Sequence, residues 1–211
     1  MSENKKISKA VISRLPRYYR YLRDLLDEGY ERISSEELSK RMKATASQIR
    51  QDLNHFGGFG QQGYGYNVES LYNEIGKILG VEKAHNIIVV GAGNLGRALV
   101  RYQGFVDHGF TFLSMFDVDD KICGKTINGI PVRKLEKLES FVAENEIDIA
   151  ALTIPSKDAV EVSKLLYFQG VRYFWNFAPI DLPLPADAIV KNVHLLDSLL
   201  ELSFTIGRQK K

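Results

Sequence analysis

The chain has 211 residues, of which 45% are hydrophobic and 26% are charged, a composition typical of globular proteins with one large or two small domains. No apolar stretch approaches the ~18 residues of a membrane span, and the N-terminal run AVI is too short for a secretory signal, so we expect a cytoplasmic protein. The single cysteine, Cys123, excludes an internal disulfide and a multi-cysteine zinc site, and no metal site is predicted.

Positive charge is concentrated near the N-terminus. Residues 1–23 carry seven Lys and Arg against one Glu, a net charge of +6, and residues 40–66 carry four against one Asp, a net charge of +3. This bias suits a surface that binds a polyanion, because Lys and Arg that neutralise phosphates release condensed counterions. The alternative is a solvated helix face, and charge alone favours that alternative.

The first predicted elements form a helix-turn-helix. Apolar residues at helical spacing predict a main helix that opens at Pro16 and ends at Gly29. The stretch ISSEELSKRM contains a capping box from Ser34, which predicts a second, short helix. Thr45 is the expected N-cap of a third helix, ATASQIRQDLNHF, with Gly57 just past its end.

The glycine-rich stretch HFGGFGQQGYGYNV, residues 55–68, follows a helix and ends in the alternating residues Tyr64, Tyr66 and Val68, whereas a phosphate loop needs a strand before it and a helix after it. We interpret it as a β-hairpin with Gln61, Gln62 and Gly63 at its tip, which makes it a wing beside the third helix. A flexible linker is disfavoured because four aromatic residues would be exposed. A helix from about Glu69 to Leu79 completes a DNA-binding domain of residues 1–80.

The rest of the chain alternates strand and helix candidates. The strand candidates are IIVV, FTFLSMFDV, IDIAALTI and VRYFWNF, and the helix candidates are NLGRALVRYQGF, KLEKLESFVAEN and SKDAVEVSKLLYFQG. This alternation is typical of a parallel α/β sheet. The predicted fold class is therefore α/β, with an N-terminal winged helix-turn-helix domain and a C-terminal Rossmann-like parallel-sheet domain over residues 81–194. Residues 195–211 form a separate C-terminal helix.

A dinucleotide fingerprint follows the first strand of this second domain. Gly91, Gly93 and Gly96 open a helix, and Asp117 ends the next strand about 20 residues later, as the fingerprint requires. Asp117 would accept hydrogen bonds from the adenosine ribose and repel a 2′-phosphate, so we expect NAD(H) rather than NADP(H). The alternative is a Rossmann-like domain whose glycines only serve packing.

Ligands of such sheets lie beyond the carboxyl ends of the strands. The segments TIP and NFAP lie there and are mostly apolar, so burying the charged oxidised nicotinamide is less favourable than burying the neutral reduced ring, and we expect a preference for NADH. The predicted cofactor-binding residues are Gly91, Ala92, Gly93, Asn94, Leu95, Gly96, Tyr102, Asp117, Val118, Thr153, Ile154, Pro155, Asn176, Phe177, Ala178 and Pro179.

An oxidoreductase is the first alternative function. None of the four histidines lies at a predicted strand end, Tyr102 has no Lys four residues later, and the Rossmann unit leaves no room for a substrate domain. We therefore predict no catalytic residues and no enzyme activity. A coenzyme A or other nucleotide-binding module is the second alternative.

The segments ASQIRQDLNHFGGFGQQGYGYNV, VVGAGNLGRALVRYQGF, FDVD, GIPV, TIP and NFAP occur in one order across nearly the whole chain. In this the chain resembles the Rex family of redox-sensing transcriptional repressors. The resemblance implies a homodimer that binds palindromic operator DNA when NADH is scarce and releases it when NADH binds. It also implies that the C-terminal helix is exchanged between subunits, although packing onto its own Rossmann domain stays an alternative.

The resemblance also implies roles for individual residues. Arg50 and Gln51 correspond to base-reading positions, Arg14 to a phosphate contact, and Arg20 and Tyr102 to a relay between ligand and DNA-binding domain. His194 takes the place of an acidic relay partner found in some relatives. The implied DNA-binding residues are Arg14, Ser47, Gln48, Arg50, Gln51, Gln61 and Gln62, and the implied relay residues are Arg20, Tyr102 and His194.

Overall fold

The computed structural model describes residues 8–54, 60–61 and 64–209, and the chain divides into two units, Met1–Lys83 and Ala84–Lys211. The expected boundary after residue 80 coincides with a helix end, where Gly80 takes a left-handed conformation with φ 74°. That conformation favours glycine, because a Cβ there would crowd the following carbonyl.

The first unit consists of helices and a small antiparallel sheet. Its described elements are α1 (Lys9–Asp27), β1 (Arg32–Ile33), α2 (Ser35–Met42), α3 (Ala46–Leu53), β2 (Gly60–Gln61), β3 (Gly65–Asn67) and α4 (Val68–Leu79). The strand order is β1, β3, β2. The hairpin expected after α3 is present as β2 and β3, in which Gly60 pairs with Tyr66 and Gln61 with Gly65.

Helix α1 differs from the prediction at its start. We expected Pro16 to open the main helix, but α1 begins at Lys9 and contains Pro16 in its interior. The N-cap is Ser8, whose side chain accepts a hydrogen bond from the Val11 backbone N–H. An interior proline disfavours a helix by about 3 kcal/mol. Burial of Val11 and Leu15 on the core side offsets that loss and continues the apolar stripe across the proline.

The helix-turn-helix is built from the caps that the sequence predicts. Ser34 and Glu37 form a reciprocal capping box at the start of α2. The Thr45 side chain accepts a hydrogen bond from the Gln48 backbone N–H at the start of α3. Between the two helices, Lys43 takes a left-handed conformation with φ 48°, which is unusual for a residue other than glycine. The turn therefore depends on a lysine where glycine would be less strained.

The second unit is a mostly parallel sheet. Its described strands are β4 (His85–Val90), β5 (Phe110–Asp117), β6 (Thr126–Ile127), β7 (Ile130–Lys134), β8 (Ile149–Leu152), β9 (Tyr173–Asn176) and β10 (Ile189–Asn192). Its described helices are α5 (Asn94–Arg101), α6 (Gln103–Val106), α7 (Leu138–Glu144), α8 (Ser156–Phe168) and α9 (Leu195–Gln209). A short 3-10 turn, Leu135–Lys137, precedes α7.

The strand order is β10, β9, β8, β4, β5, β7, β6, and only β6 runs antiparallel to its neighbour among these strands. Strand β4 lies in the centre, between β8 and β5, and the chain crosses from one side of it to the other. That reversal opens a crevice at the carboxyl ends of β4, β5 and β8, which is where ligands bind in sheets of this type.

Two features of this unit differ from the sequence prediction. The helix expected over NLGRALVRYQGF is interrupted at Tyr102, which has an extended conformation (φ −80°, ψ 104°) between α5 and α6. Strands β6, β7 and β10 were not anticipated. Strand β7 contains Pro131 and ends in charged residues, and β10 includes Lys191, so neither has the apolar run of a central strand.

Candidate nucleotide-binding and DNA-binding sites

The loop between β4 and α5 is closely packed against the end of β8. Gly91 has φ +103°, and a Cβ built on it would lie 2.6 Å from the Thr153 carbonyl oxygen. A Cβ on Gly96 would collide with the Gly91 carbonyl oxygen and lie 2.9 Å from Thr153 Oγ1. Thr153 Oγ1 itself donates to the Val90 and Gly91 carbonyls at 3.1 and 2.8 Å. Gly91 and Gly96 therefore allow the loop between β4 and α5, and the start of α5, to lie close to the end of β8.

Gly93 has a different role from its two neighbours in the fingerprint. It is exposed at the N-terminus of α5, and a Cβ built on it meets no heavy atom within 4 Å. Packing of this unit does not require a glycine there, whereas a pyrophosphate approaching the backbone would. The neighbouring Ala92 is fixed from both sides, because its carbonyl accepts from Arg97 Nε at 2.6 Å and its N–H donates to Asp117.

Asp117 lies at the carboxyl end of β5, as the fingerprint predicts. Its Oδ2 accepts from the Ala92 N–H at 2.6 Å and its Oδ1 accepts from the Asp119 N–H at 2.9 Å. These two bonds fix the orientation of the carboxylate relative to the glycine loop, and the unused lone pairs remain able to accept from ribose hydroxyls. Val118, the next residue, is 78% exposed at the rim of the crevice.

A cleft of about 680 Å³ opens at these strand ends. It brings together the glycine loop, Asp117, Val118 and the segment 153–155, which were predicted as cofactor-binding residues. The wall that α7, α8 and the turn before α7 contribute was not predicted from the sequence. Its main members are Leu135, Leu138, Lys157, Asp158, Glu161 and Leu165. Their signal was available, because α8 starts directly after Pro155 at a strand end.

The segment after β9 was predicted to contact the nicotinamide, and its conformation is held by hydrogen bonds of Asn176. Asn176 is fully buried, and its Nδ2 donates to the Ile180 carbonyl at 2.8 Å and to Asn192 Oδ1 at 2.9 Å. Its Oδ1 accepts from the Ala178 N–H at 3.1 Å. The amide therefore holds the loop of Phe177, Ala178 and Pro179 in place. Contact of this loop with a nicotinamide stays a prediction.

Tyr102 is 63% exposed at the interruption between α5 and α6. Its ring lies edge-on to Phe105 at a centroid distance of 5.0 Å and covers Gly104, whose added Cβ would lie 2.6 Å from the ring. Asn94 is exposed and Leu95 half-buried at the first turn of α5. The interruption thus presents a tyrosine hydroxyl at the surface of the unit.

An apolar groove lies over part of one face of the sheet. The groove, of about 300 Å³, is lined almost entirely by apolar side chains of β8, β9 and β10 and of α6, including Ile149, Trp175, Ile189 and Phe105. Helix α9 also leaves its apolar side chains exposed. Its large apolar side chains are each 55–63% exposed in the single chain: Leu195, Leu196, Leu199, Leu200, Leu202, Phe204 and Ile206. Single exposed apolar residues are common on protein surfaces, whereas contiguous apolar patches such as these two usually mark an interaction site.

Helix α3 presents three of the predicted DNA-binding residues on its outer face. Ser47, Arg50 and Gln51 are exposed and lie three and four residues apart, which places them on one side of the helix. Arg50 Nη1 donates to Ser35 Oγ at 3.1 Å, so the first residue of α2 orients that guanidinium. Ser35 was not identified from the sequence.

Two other predicted DNA contacts have partners inside the unit. Asp52 is 1% exposed and accepts Arg14 Nε and Nη2 in a bidentate pair, both at 2.7 Å. It also accepts from the Tyr18 hydroxyl and Gln48 Nε2, each at 2.9 Å. Arg14 and Gln48, which were predicted to contact DNA, thus both bind this buried carboxylate, while the Arg14 side chain keeps 38% of its exposure. Their contact with DNA stays a prediction.

The pKa values of this cluster follow from its geometry. Burial acts to raise the pKa of Asp52, but hydrogen bonds from Arg14, Tyr18 and Gln48 outweigh it and hold that pKa below the usual range. Burial, together with the hydrogen bond to Asp52, raises the pKa of Tyr18. The cluster is therefore an ion pair with a neutral phenol at physiological pH.

The remaining predicted residues are Gln61, Gln62, Arg20 and His194. Gln61 belongs to β2, and Gln62 lies outside the described residues. Arg20 is on the exposed side of α1, with its guanidinium 5.6 Å from the Tyr21 ring centroid. His194 is exposed just before α9, where its carbonyl accepts from the Asp197 N–H at 3.2 Å. Their roles stay predictions.

Over residues 8–54, 60–61 and 64–209, no three His, Cys, Asp or Glu side chains are grouped closely enough to hold a metal ion. Across the same part of the chain, no helix combines the length and the apolar character that crossing a membrane requires.

Comparison with known proteins covers both units. The family model "Putative DNA-binding protein N-terminus" matches residues 6–54, and the model "CoA binding domain" matches residues 82–180. The redox-sensing transcriptional repressor Rex of Thermoanaerobacter pseudethanolicus is 51% identical over 210 residues, which is 100% of this chain and 94% of the relative. The Rex repressor of Clostridioides difficile is 52% identical over 210 residues, covering 100% of both chains.

Two solved structures of RSP are also similar along nearly the whole chain. The crystal structure of RSP with β-NAD⁺ and operator DNA has a TM-score of 0.91 and 51% identity, covering 97% of this chain and 94% of the other. The crystal structure of RSP with β-NADH has a TM-score of 0.89 and 48% identity, covering 98% and 97%.

Proposed function

Because the chain belongs to the Rex family of redox-sensing transcriptional repressors, we propose that NADH binding in the cleft of the second unit releases operator DNA from the first. The chain is a DNA-binding repressor with NADH and NAD⁺ as its effectors. The observation that carries the mechanism is that one chain combines an exposed reading face on α3 with a fixed dinucleotide loop. The chain is also 51% identical to the repressor RSP, whose structure was solved with NAD⁺ and operator DNA. A repressor acts on chromosomal DNA, so we place it in the cytoplasm.

At the nucleotide end, the glycine loop receives the pyrophosphate and Asp117 accepts hydrogen bonds from the adenosine ribose. The polar groups near the expected nicotinamide position are already occupied, because Thr153 Oγ1 and the Asn176 amide bond to the protein. The other residues of the two segments expected around the ring, TIP and NFAP, are apolar, and such surroundings favour the neutral reduced form over the charged oxidised form. The charged residues of the cleft, Lys157, Asp158 and Glu161, belong to its α8 wall.

At the DNA end, Arg50 and Gln51 read base edges in the major groove, with Ser47 beside them. Arginine pairs with guanine and glutamine with adenine in bidentate geometry, each discriminating by about 1–3 kcal/mol. Gln61 and Gln62 approach the neighbouring minor groove from the wing. Glutamines at these positions add no charge, so they contribute specificity without phosphate neutralisation.

We also propose that the repressor is a homodimer in which α9 packs on a second copy. The apolar side chains of α9 and the open apolar groove of the sheet both need a cover, and a second copy supplies both covers by one two-fold operation. Two recognition helices related by this symmetry then fit a palindromic operator with half-sites a helical turn or a multiple of it apart.

The two ligands act through a coupling free energy between the two sites. Typical couplings of about 1–3 kcal/mol change an affinity roughly 5- to 150-fold. Because such coupling is reciprocal, operator DNA weakens NADH binding by the same factor by which NADH weakens operator binding. Release needs only a change in relative population of two arrangements, and no chemistry occurs on the cofactor.

The alternatives from the sequence receive less support. The relatives that match the whole chain are named as transcriptional repressors, not as oxidoreductases. The match to the coenzyme A binding model covers the Rossmann-like part alone, whereas the structures solved with NAD⁺ and NADH are similar over nearly the whole chain.

Fluorescence anisotropy tests the mechanism. The operator duplex of the RSP complex, carrying a fluorophore, is saturated with the protein and titrated separately with NADH, NAD⁺ and NADPH. We expect release by NADH at concentrations at which NAD⁺ leaves the complex intact, and little effect of NADPH because Asp117 opposes a 2′-phosphate. Equal release by NADH and NAD⁺ would contradict redox sensing by this site.

A further inference from the structure

Among the residues that the structure describes, Asp52 is the only carboxylate that is buried, and it lies on the helix that carries the base-reading side chains. Removing a carboxylate from water is unfavourable, and replacing a buried ion pair by apolar residues of similar volume often leaves a protein equally stable or more stable. The position of Asp52 in the interior of the DNA-binding unit therefore points to a contribution beyond stability.

The partners of Asp52 come from two helices. Arg14 and Tyr18 are one turn apart on α1, and they donate to the carboxylate across more than 30 positions of sequence. Gln48 donates from α3 itself, one turn before Asp52. A bidentate arginine fixes both the distance and the plane of a carboxylate. The cluster thus fixes how far α3 can rotate about its own axis relative to α1.

That rotation matters for the reading face. Side chains extend about 5–6 Å from a helix axis, so a rotation of roughly 10° displaces their tips by about 1 Å. Ser47, Arg50 and Gln51 project from the exposed side of α3, while Asp52 anchors its buried side. Bidentate base contacts require both hydrogen bonds in one plane, and a displacement of this size weakens them.

We propose that Asp52 is a positioning residue for operator recognition, acting through Arg14, and that Arg14 serves to orient α3 rather than to contact a phosphate. The inference rests on the DNA-binding function proposed above. Arg14 already has its charge compensated by Asp52 at 2.7 Å, and two of its three nitrogens, Nε and Nη2, are used in that pair.

Substitution of Arg14 by lysine and by glutamine separates orientation from charge. Lysine keeps a positive charge that can bind a phosphate, but it cannot form the bidentate pair. We measure the affinity of wild type, Arg14→Lys and Arg14→Gln for the RSP operator duplex and for a random duplex of equal length, over a range of salt concentrations. Operator binding by the wild type is established first, so that failure of the proposed function is distinguished from failure of this inference.

If Arg14 orients α3, both variants bind the operator roughly tenfold or more weakly, which is about the effect of one mismatched base pair. Their affinity for random DNA and their salt dependence then stay close to those of the wild type. If Arg14 contacts a phosphate, Arg14→Lys binds like the wild type, and Arg14→Gln lowers the salt slope by about 0.9 for each phosphate that is no longer neutralised. That second result would overturn the inference, and so would unchanged operator affinity in both variants.

Asp52→Asn provides an independent test, because it keeps the shape of the side chain and removes the charge. We expect a loss of operator affinity with random-duplex affinity retained, at a temperature where circular dichroism shows the variant folded. A parallel fall of both affinities would mean that Asp52 only stabilises the unit, and would overturn its positioning role. Tyr18→Phe keeps the ion pair, so it should lose less operator affinity than Asp52→Asn, and an equal loss would count against the role of the pair.

Discussion

The fingerprint glycines offer a test in which two substitutions of the same kind, at sites three residues apart, have opposite consequences. In Gly93→Ala, the new Cβ meets no protein atom within 4 Å. The reduced entropy of the unfolded chain favours alanine by about 0.4–1 kcal/mol, while glycine is the better N-cap, so unfolding free energy should change by less than about 0.5 kcal/mol. The methyl group occupies the space through which a pyrophosphate approaches the backbone, and NADH affinity should fall at least about tenfold.

In Gly96→Ala, the new Cβ collides with the Gly91 carbonyl oxygen and lies 2.9 Å from Thr153 Oγ1. Overpacking disfavours folding by about 1–3 kcal/mol, and a collision with a backbone oxygen lies at the upper end of that range, about 2–3 kcal/mol. The better helix propensity of alanine returns about 1 kcal/mol. We expect a net loss of about 1–2 kcal/mol, which corresponds to a lower Tm by roughly 4–8 °C for a unit of this size.

Differential scanning calorimetry measures the stability of both variants, and quenching of protein fluorescence measures their NADH affinity. Each variant serves as the control for the other, because the substitution is the same and only its surroundings differ. The reasoning is refuted if Gly93→Ala binds NADH as tightly as the wild type, or if Gly96→Ala is as stable as the wild type.

Three further predictions concern other parts of the molecule. If the proposed homodimer forms through α9, Leu199→Asp should convert it to a monomer in sedimentation velocity, because the substitution places a charge on the apolar surface of α9, whereas Ser198→Asp on the same helix should stay dimeric. Lys43→Gly should raise unfolding free energy by about 1 kcal/mol in urea titrations, because glycine relieves the left-handed strain at φ 48°. Asn128 is the other non-glycine residue with a left-handed conformation in the described chain. Asn128→Gly should lower the unfolding free energy, since the Asn128 amide donates to the Val100 carbonyl at 2.8 Å. Finally, the pKa of Asp52 is lowered in the folded protein, so its contribution to stability is complete above the usual Asp pKa of about 3.9 and is lost as the pH falls further. The unfolding free energy of the wild type should therefore decline more steeply below about pH 4 than the unfolding free energy of the Asp52→Asn variant.

Much of the fold follows from local rules that a sequence displays directly. The capping box at Ser34, the N-cap at Thr45 and the left-handed stop at Gly80 each depend on residues within four positions of one another. The glycine loop and the acidic residue after the next strand form a longer pattern. It was predictable because dinucleotide binding requires the loop and the acidic residue in one arrangement. The family resemblance added the order of these motifs along the whole chain.

The differences arise where distant residues decide the outcome. Pro16 stands inside α1 because core contacts on both sides of it continue the helix, which a local rule does not register. The contacts of Arg14 and Gln48 with Asp52 were not predicted, since nothing near them in sequence shows that Asp52 is buried between two helices. The role of Asn176 likewise depends on Asn192, which belongs to the unanticipated strand β10.

The strand order of the second unit also has a consequence for the time course of synthesis. The first unit is complete once residue 83 has left the ribosome, so all of its internal contacts can form before the second unit has been synthesised. The central strand β4 pairs with β8, so Ile87 meets Ile149 only 62 residues later, and the sheet edge at β10 follows later still. A nascent polypeptide therefore carries a finished DNA-reading module before its sensor exists, and during that interval the module has no means of responding to NADH.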